Sequence, residues 1–192
     1  MSWLQSKVSL ASAAPESAPE QSIDSLVAQH YGFVWRVLRG LGFSRADADD
    51  AAQQVFMIVA RKIENINAGS ARSFIYGSTL RVANNARRGL RRRREIATED
   101  ALDAAEPEAL GPEQRAAVVE ARALLSELLA RLPDKFRRIL ILAELEQLEV
   151  PEIAALERLP VGTAASRLRT ARQQFRELLD AARDRNPFLN EA

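Results

Sequence analysis

The sequence has no cysteine and only one histidine, and these shortages exclude several kinds of site. Without cysteine the chain can form neither disulfides nor thiolate metal sites. His30 by itself cannot build a zinc or catalytic constellation, so we expect no enzyme activity, no catalytic residues, no metal and no cofactor. No stretch approaches the roughly 20 apolar residues of a membrane-spanning helix. Residues 1–21 also lack the basic start and apolar core of a signal peptide, so we expect no membrane insertion and a cytoplasmic location.

Charge is sorted along the chain. The 27 basic and 26 acidic residues leave a net charge of only +1. The stretch from Glu95 to Gln114, however, has seven acidic residues and no basic one. Pro107, Gly111 and Pro112 are expected to break any helix in it. We interpret this stretch as a flexible acidic connector between two domains.

The predicted organisation follows from these shifts in composition. The length of 192 residues suits two small domains rather than two large ones. The N-terminal extension is rich in Ala, Ser, Pro and Glu, which is typical of disorder. The predicted segments are an extension at 1–21, a first domain at 22–94, a connector at 95–113, a second domain at 114–184 and a tail at 185–192.

The segment Leu145–Leu179 has the pattern of a helix-turn-helix. A short helix, a tight turn and a longer basic helix follow one another, and in this motif the second helix enters a DNA groove. A helix starting near Val161 places these residues inward at about 100° per residue: Val161, Ala164, Leu168, Ala171, Phe175, Leu178 and Leu179. Outward lie Ser166, Arg169, Thr170 and Gln173, suited to base edges, with Arg167 and Arg172 on the flanks near phosphates. The alternative is an amphipathic surface helix with a solvated basic face.

A second basic helix is predicted over 72–94. Its inward residues are Ile75, Thr79, Val82, Ala86 and Leu90. Its outward residues are Arg81, Asn84, Asn85, Arg88, Arg91 and Arg92. Arginine offers phosphate contacts and a stacking plane, and asparagine offers a paired donor and acceptor, so this face suits nucleic acid. For the run of four arginines at 91–94, a solvated helix end is the alternative.

A third helix, predicted over Arg45–Ile63, presents a candidate protein-docking face. Its buried side is Ala52, Val55, Phe56, Val59 and Ile63, and its outer side is Asp50, Gln53, Gln54, Met57 and Arg61. An exposed methionine with a polar rim is typical of a docking surface, because methionine adapts its shape and the rim fixes the register. The alternative is that Met57 lies at the edge of the core.

The remaining periodicity completes an all-α prediction of two small helical domains. A helix over Ile23–Leu41 would turn inward Val27, Tyr31, Val34, Trp35 and Leu38. Helices over 114–131 and 134–147 would support the helix-turn-helix, with Pro133 marking the break between them. No strand pattern is present in the sequence.

The order of these parts resembles the extracytoplasmic-function (group IV) RNA polymerase sigma factors, the minimal two-domain class of bacterial transcription initiation factors. Asp47–Phe56, DADDAAQQVF, is similar to the family's DAEDLVQEVF-like segment. Phe74-Ile75-Tyr76 opens a stretch similar to its promoter helix. Leu132–Arg172 is similar, in the same spacing, to LPxxxRxVLxLxxLEGLSYxEIAxxLGxPVGTVKSRLxRAR, and this part is the most specific. Arg158 stands at the glycine of the family's turn.

The resemblance implies a function and a set of site residues. The chain would bind bacterial core RNA polymerase, through the largest-subunit clamp helices and the second-largest-subunit flap, and would recognise and open promoter DNA. An anti-sigma factor is an expected partner. The implied polymerase-binding residues are Asp50, Gln53, Gln54 and Phe56, with Met57 beside them. The implied minus-10 residues are Asn65 to Ser70, Arg81, Asn84, Asn85 and Arg88, with Arg91 and Arg92 beyond. The implied minus-35 residues are Thr163, Ser166, Arg167, Arg169 and Arg172, with Thr170 and Gln173 on the same face.

Two other classes of function fit parts of the sequence. A helix-turn-helix regulator would act without polymerase docking, but it would need a dimerisation or ligand domain that the first half does not resemble. A sigma-like decoy would only titrate an anti-sigma factor, and it would have no need for basic groove-facing residues such as Arg169. The family often has basic residues at the positions of Ala165 and Thr170. Their absence here weakens the argument against the decoy.

Overall fold

The computed structural model describes residues 22–94 and 111–185, and the described part is built from helices. The α-helices are α1 (Ile23–Gly40), α2 (Arg45–Ala60), α3 (Ala71–Arg94), α4 (Pro112–Arg131), α5 (Asp134–Leu140), α6 (Val150–Glu157) and α7 (Val161–Arg185). Two short 3-10 turns, Ile63–Asn65 and Ala68–Ser70, connect α2 to α3. A π-helical turn, Ile141–Leu145, continues α5. No β-strand occurs in the described ranges, so the all-α prediction is confirmed there.

Local sequence explains where several helices begin. The Ser22 hydroxyl accepts a hydrogen bond from the Ser25 N–H and caps α1, and the Ser44 hydroxyl does the same for the Asp47 N–H at the start of α2. Pro133 precedes α5 as predicted. Pro112, predicted to break a helix, instead begins α4, because proline is tolerated in the first turn, where its missing N–H has no partner to lose. Helix α4 therefore begins two residues before the predicted start at residue 114.

The predicted inward stripes are largely buried. In α7 the buried positions include Ala164, Leu168 and Ala171, while Phe175 is half-buried. Val161 was predicted to be inward and is 52% exposed, because it lies in the first turn of α7, at the edge of the helix-turn-helix. Tyr31 on α1 was also predicted inward and is 39% exposed.

The helices form two groups that share one continuous apolar core. Helices α1, α2 and α3 pack against one another, and α7 packs against α4, α5 and α6. The groups meet where α6 packs on α3 and where the π-helical turn packs on α1. Arg137 is buried and closes the C-terminal end of α4, since its guanidinium donates hydrogen bonds to the carbonyl oxygens of Ala130 and Leu132.

Candidate protein and nucleic-acid interfaces

The outer face of α2 is polar with one exposed apolar residue. Asp50, Gln53 and Gln54 are exposed, and Met57 is 50% exposed, so Met57 does not lie within the core. The resemblance also assigned Phe56 to this surface, but its side chain is buried. It is 8% exposed and stacks beneath the Tyr31 ring, with 6.2 Å between the ring centroids. In this structure Phe56 supports the surface from beneath, because the helical period turns its side chain toward α1.

A hydrogen-bonded cluster that the periodicity did not reveal extends this face onto α1. The Tyr31 hydroxyl and the Trp35 indole N–H both donate to Asp49 Oδ1, each at 2.8 Å. Burial, followed by the hydrogen bond to Asp49, raises the pKa of Tyr31. Arg39 lies 5.6 Å from the centre of the Trp35 ring. The cluster joins α1 to α2 and holds Tyr31 at the surface, which explains why it is not inward.

The outer face of α3 presents polar groups beside the 3-10 turns that precede it. Arg81, Asn84 and Asn85 are exposed, and the Arg81 guanidinium donates to the Ser78 hydroxyl at 3.1 Å. Asn65 and Ser70 are exposed in the two turns, and the Ser70 hydroxyl donates to the Asn67 carbonyl. The side chains of Arg88, Arg91, Arg92 and Leu90 lie outside the described residues. The exposed polar residues of the two turns therefore directly precede those of the first half of α3 along the chain.

The outer face of α7 is exposed as the periodicity predicted, but several of its polar groups have partners. The Ser166 hydroxyl donates to the Thr163 carbonyl and the Thr170 hydroxyl donates to the Ser166 carbonyl, so both donors are used within the helix. Gln173 donates to Glu177 at 3.1 Å. Arg167 and Thr163 are half-buried. Arg169 is exposed and has no ion pair or hydrogen bond within the described part of the chain, which leaves its donors available to a ligand.

The turn before α7 contains a left-handed residue at the position where the resembling family has glycine. Arg158 has φ 54° and ψ 50°, and its N–H and that of Leu159 donate to carbonyls at the end of α6. Such a backbone satisfies the last carbonyls of a helix but disfavours residues with a Cβ atom. Gln147, two residues after the end of the π-helical turn, has φ 52° and was not predicted to be left-handed.

An apolar groove lies between α4, α5 and α7. Its volume is about 380 Å³, and it is lined by Leu125, Leu140, Leu145 and Phe175 among others. Leu125 and Leu145 are 37% and 40% exposed, so the groove opens to solvent. Arg172 and Glu144 stand at its rim. Sequence periodicity did not reveal it, because its walls come from three helices whose relative positions are set by packing.

Two kinds of feature are missing from the part of the chain that the structure describes. No group of three or more His, Asp or Glu residues is placed to hold a metal ion. None of its helices is both long enough and apolar enough to cross a membrane.

Two family models match the chain, one for each group of helices. Sigma-70 region 2 matches residues 26–94 and Sigma-70, region 4 matches residues 122–175. The first match covers α1 to α3, including both candidate surfaces there. The second runs from α4 into α7 and includes the helix-turn-helix.

Curated relatives align over most of the chain. The ECF RNA polymerase sigma factor SigE of Mycolicibacterium smegmatis is 33% identical over 87% of this chain and 65% of its own length. The ECF RNA polymerase sigma-E factor of Escherichia coli is 30% identical over 66% of this chain and 71% of its own length. The RNA polymerase sigma-H factor of Pseudomonas aeruginosa is 27% identical over 90% of this chain and 91% of its own.

Solved structures share the fold. One is CnrH in complex with the cytosolic domain of CnrY, with a TM-score of 0.61, 22% identity and coverage of 83% of this chain and 88% of the other. Another is the sigma factor RpoE in complex with the anti-sigma factor NepR from Bartonella quintana, with a TM-score of 0.59, 18% identity and coverage of 82% and 96%. The chain belongs to the extracytoplasmic-function RNA polymerase sigma factors, which are DNA-binding transcription initiation factors and not enzymes.

Proposed function

We propose that the chain is an alternative sigma factor that binds core RNA polymerase through the α1–α2 face, recognises the minus-10 element with α3 and recognises the minus-35 element with α7. One observation carries the proposal. The apolar stripe of α7 is buried while Arg169 and its neighbours remain exposed, which is the arrangement that a groove-reading helix requires.

The polymerase surface is assigned to Asp50, Gln53, Gln54 and Met57. These residues share one exposed face of α2, and the hydrogen-bonded cluster around Asp49 extends that face onto α1. Protein interfaces commonly place an apolar anchor inside a polar rim, and Met57 with its neighbours has that composition. The proposed partner is the pair of clamp helices in the largest polymerase subunit, and Phe56 holds the face in place from beneath.

The apolar groove between α4, α5 and α7 is the proposed contact for the flap of the second-largest subunit. Its walls are leucine and phenylalanine, and its rim carries the Arg172–Glu144 pair. A groove of this kind takes the apolar face of a helix, with charges at its edge fixing the orientation.

The minus-10 assignment is supported by the composition of the α3 face. Arg81 and Asn84 are exposed one turn apart, and both suit a single strand, through phosphate contact and base-edge hydrogen bonds. The turns that carry Asn65 and Ser70 are the proposed place for a flipped base. Arg88, Arg91 and Arg92 remain predictions for the same strand.

The minus-35 assignment divides α7 between reading and positioning. Arg169 is exposed without an internal partner and is the proposed base reader. Arg167 and Arg172 lie on the flanks and are assigned to phosphates. Thr163, Ser166, Thr170 and Gln173 complete the face that enters the groove.

Two further properties belong to the proposal. An anti-sigma factor is the proposed regulator, since the sigma factor RpoE, which has a similar fold, was solved in complex with the anti-sigma factor NepR. The cytoplasm is the proposed location, because core RNA polymerase and promoters are there.

Run-off transcription on the genomic fragment upstream of the chain's own gene tests the proposal. Core polymerase alone, the chain alone and the two together are compared, with permanganate footprinting to detect the melted strand. We expect a transcript and a melted region only when both are present. Duplex binding that needs no core enzyme and yields no transcript would support the helix-turn-helix regulator. Binding to an anti-sigma factor without core binding would support the decoy.

A further inference from the structure

The exposed residues in the first three turns of α7 are mostly small and apolar. Val161 is 52% exposed, and Gly162 and Ala165 are exposed beside it. Ser166 and Arg169 are the exposed polar residues of these turns. A helix-turn-helix brings the N-terminal residues of its second helix to the base edges of DNA, so the composition of these turns decides which bases are recognised.

The hydroxyl groups of this surface use their hydrogen atoms within the helix. The Ser166 hydroxyl donates to the Thr163 carbonyl at 3.0 Å, and the Thr170 hydroxyl donates to the Ser166 carbonyl at 3.1 Å. Among the exposed side chains of these turns, the Arg169 guanidinium is the donor that remains for a base. The rest of the surface therefore offers mainly apolar contact.

Gly162 leaves the backbone of this surface bare. A Cβ atom at position 162 would meet nothing within 4 Å, so packing within the chain does not require glycine there. A bare backbone allows a ligand to approach a helix closely. A base edge can therefore reach the side chains of Val161 and Ala165 without meeting a side chain at position 162.

Small apolar side chains have one counterpart among the base edges of the major groove. Thymine presents a C5-methyl group there, whereas the other three bases present hydrogen-bonding groups and no methyl group. Val161 and Ala165 are one helical turn apart, about 6 Å along the axis of α7. Since this is roughly the rise of two base pairs, the two side chains can contact methyl groups on different base pairs.

We propose that Val161 and Ala165 recognise thymine methyl groups in the minus-35 element, beside the base that Arg169 contacts. The inference rests on the proposed function, because it concerns the DNA that α7 binds. It names the chemistry of that DNA: apolar thymine edges near a guanine, to which arginine donates two hydrogen bonds. At position 165, where the family often has a basic residue, alanine replaces a charge with a methyl group.

Deoxyuridine tests the proposal directly, because it lacks the methyl group of thymine and keeps its hydrogen-bonding groups. Core polymerase carrying the full chain first selects its preferred minus-35 sequence from promoter duplexes randomised in that element. Each thymine of the selected sequence is then replaced singly by deoxyuridine, and fluorescence anisotropy measures the affinity. We expect two positions at which the replacement weakens binding about fourfold, the effect of losing one buried methyl group.

Variants of the chain identify which side chain contacts each methyl group. Val161→Ala should remove the deoxyuridine effect at one of the two positions, and Ala165→Lys should remove it at the other. Both residues are exposed, so helicity and Tm should stay close to those of the unaltered chain. Val119→Ala, the same substitution at an exposed position of α4, is the matched control and should preserve the effect at both positions.

Three results would overturn the inference while leaving the proposed function in place. They are a selected element without thymine, an affinity that deoxyuridine does not change, and a deoxyuridine effect that persists in both Val161→Ala and Ala165→Lys. In the last case the methyl groups would act through the shape of the DNA rather than through these side chains. A polymerase that selects no minus-35 sequence when it carries the chain would overturn the proposed function together with the inference.

Discussion

Arg172 in the proposed minus-35 helix is paired with Glu144 in the π-helical turn, with 2.8 Å between Nη2 and Oε1. The Arg172 Nε also donates to the same oxygen at 2.8 Å. Both side chains are about half exposed, at 51% and 49%. Because both side chains are half exposed, this ion pair adds little to the stability of the fold. Its main effect is to reduce the positive charge that α7 presents to DNA.

Substituting Arg172 and substituting Glu144 should change the affinity for duplex DNA in opposite directions. Arg172→Ala should weaken all duplexes alike and lower the salt slope of binding by about one unit, because one phosphate contact is lost. Glu144→Gln should strengthen all duplexes alike, because Arg172 is released and a negative charge near the phosphates is removed. Fluorescence anisotropy over a series of salt concentrations measures both. An effect confined to one promoter sequence would show that Arg172 reads bases.

Arg169→Ala should behave as the loss of a base reader. We expect a cost of about 1 to 3 kcal/mol on the preferred minus-35 sequence, with relaxed preference at one or two positions. The measurement is binding to a panel of minus-35 point variants. Arg183→Ala, which removes the same charge from an exposed position near the far end of α7, is the control. Equal losses for the two variants across the panel would make Arg169 a general electrostatic contact.

Asp50→Arg combined with Gln53→Ala should weaken binding to core polymerase while leaving the fold intact. Both side chains are exposed on α2, so neither substitution disturbs the core. A pull-down with core enzyme and circular dichroism measure affinity and helicity. Asp180→Arg, an identical charge change at an exposed position of α7, should leave the affinity unchanged. Normal affinity of the double variant would place the docking surface elsewhere.

Arg158→Gly should raise the free energy of unfolding by about 1 kcal/mol, because glycine adopts the left-handed backbone without a Cβ penalty. DNA binding should be unaffected, since the substitution does not alter the outer face of α7. Arg158→Ala separates backbone from side chain, because alanine keeps the Cβ atom and should give no such gain. Urea unfolding measures all three proteins. A lower stability for Arg158→Gly would mean that the arginine side chain contributes more than the strain costs.

His30 should make stability fall as the solution is acidified. Burial, followed by the positive charge of Arg72, lowers the pKa of His30 below its ordinary value of 6.5. The unfolded chain therefore takes up the proton first, so this contribution is present above pH 6.5 and is lost as pH falls toward the folded pKa. His30→Gln should reduce the difference in urea midpoint between neutral pH and about pH 5.5. A folded His30 that titrates above 6.5 by NMR would reverse the sign.

The sequence by itself determined the helices, their order and the family. Hydrophobic periodicity depends only on neighbours along one helix, so it correctly buried Leu168 and Ala171 and exposed Arg169. The resemblance, rather than periodicity, drew attention to Arg158, which stands at the family's glycine and is left-handed in the structure. Periodicity was wrong at Val161 and Tyr31, where exposure depends on which neighbouring helix covers the residue rather than on the angle around the axis.

Only the tertiary structure decided how the helices meet. Arg36 and Glu146 are 110 residues apart in sequence, and either could pair with many other charged groups, so no local pattern selects this pair. The same holds for Tyr76 with Glu157 and for the three walls of the apolar groove. Periodicity assigns a residue to one face of its own helix, whereas a contact also requires the position and orientation of a second helix. Packing of the whole chain fixes both, and for this protein it brought Arg36 to Glu146 and Tyr76 to Glu157.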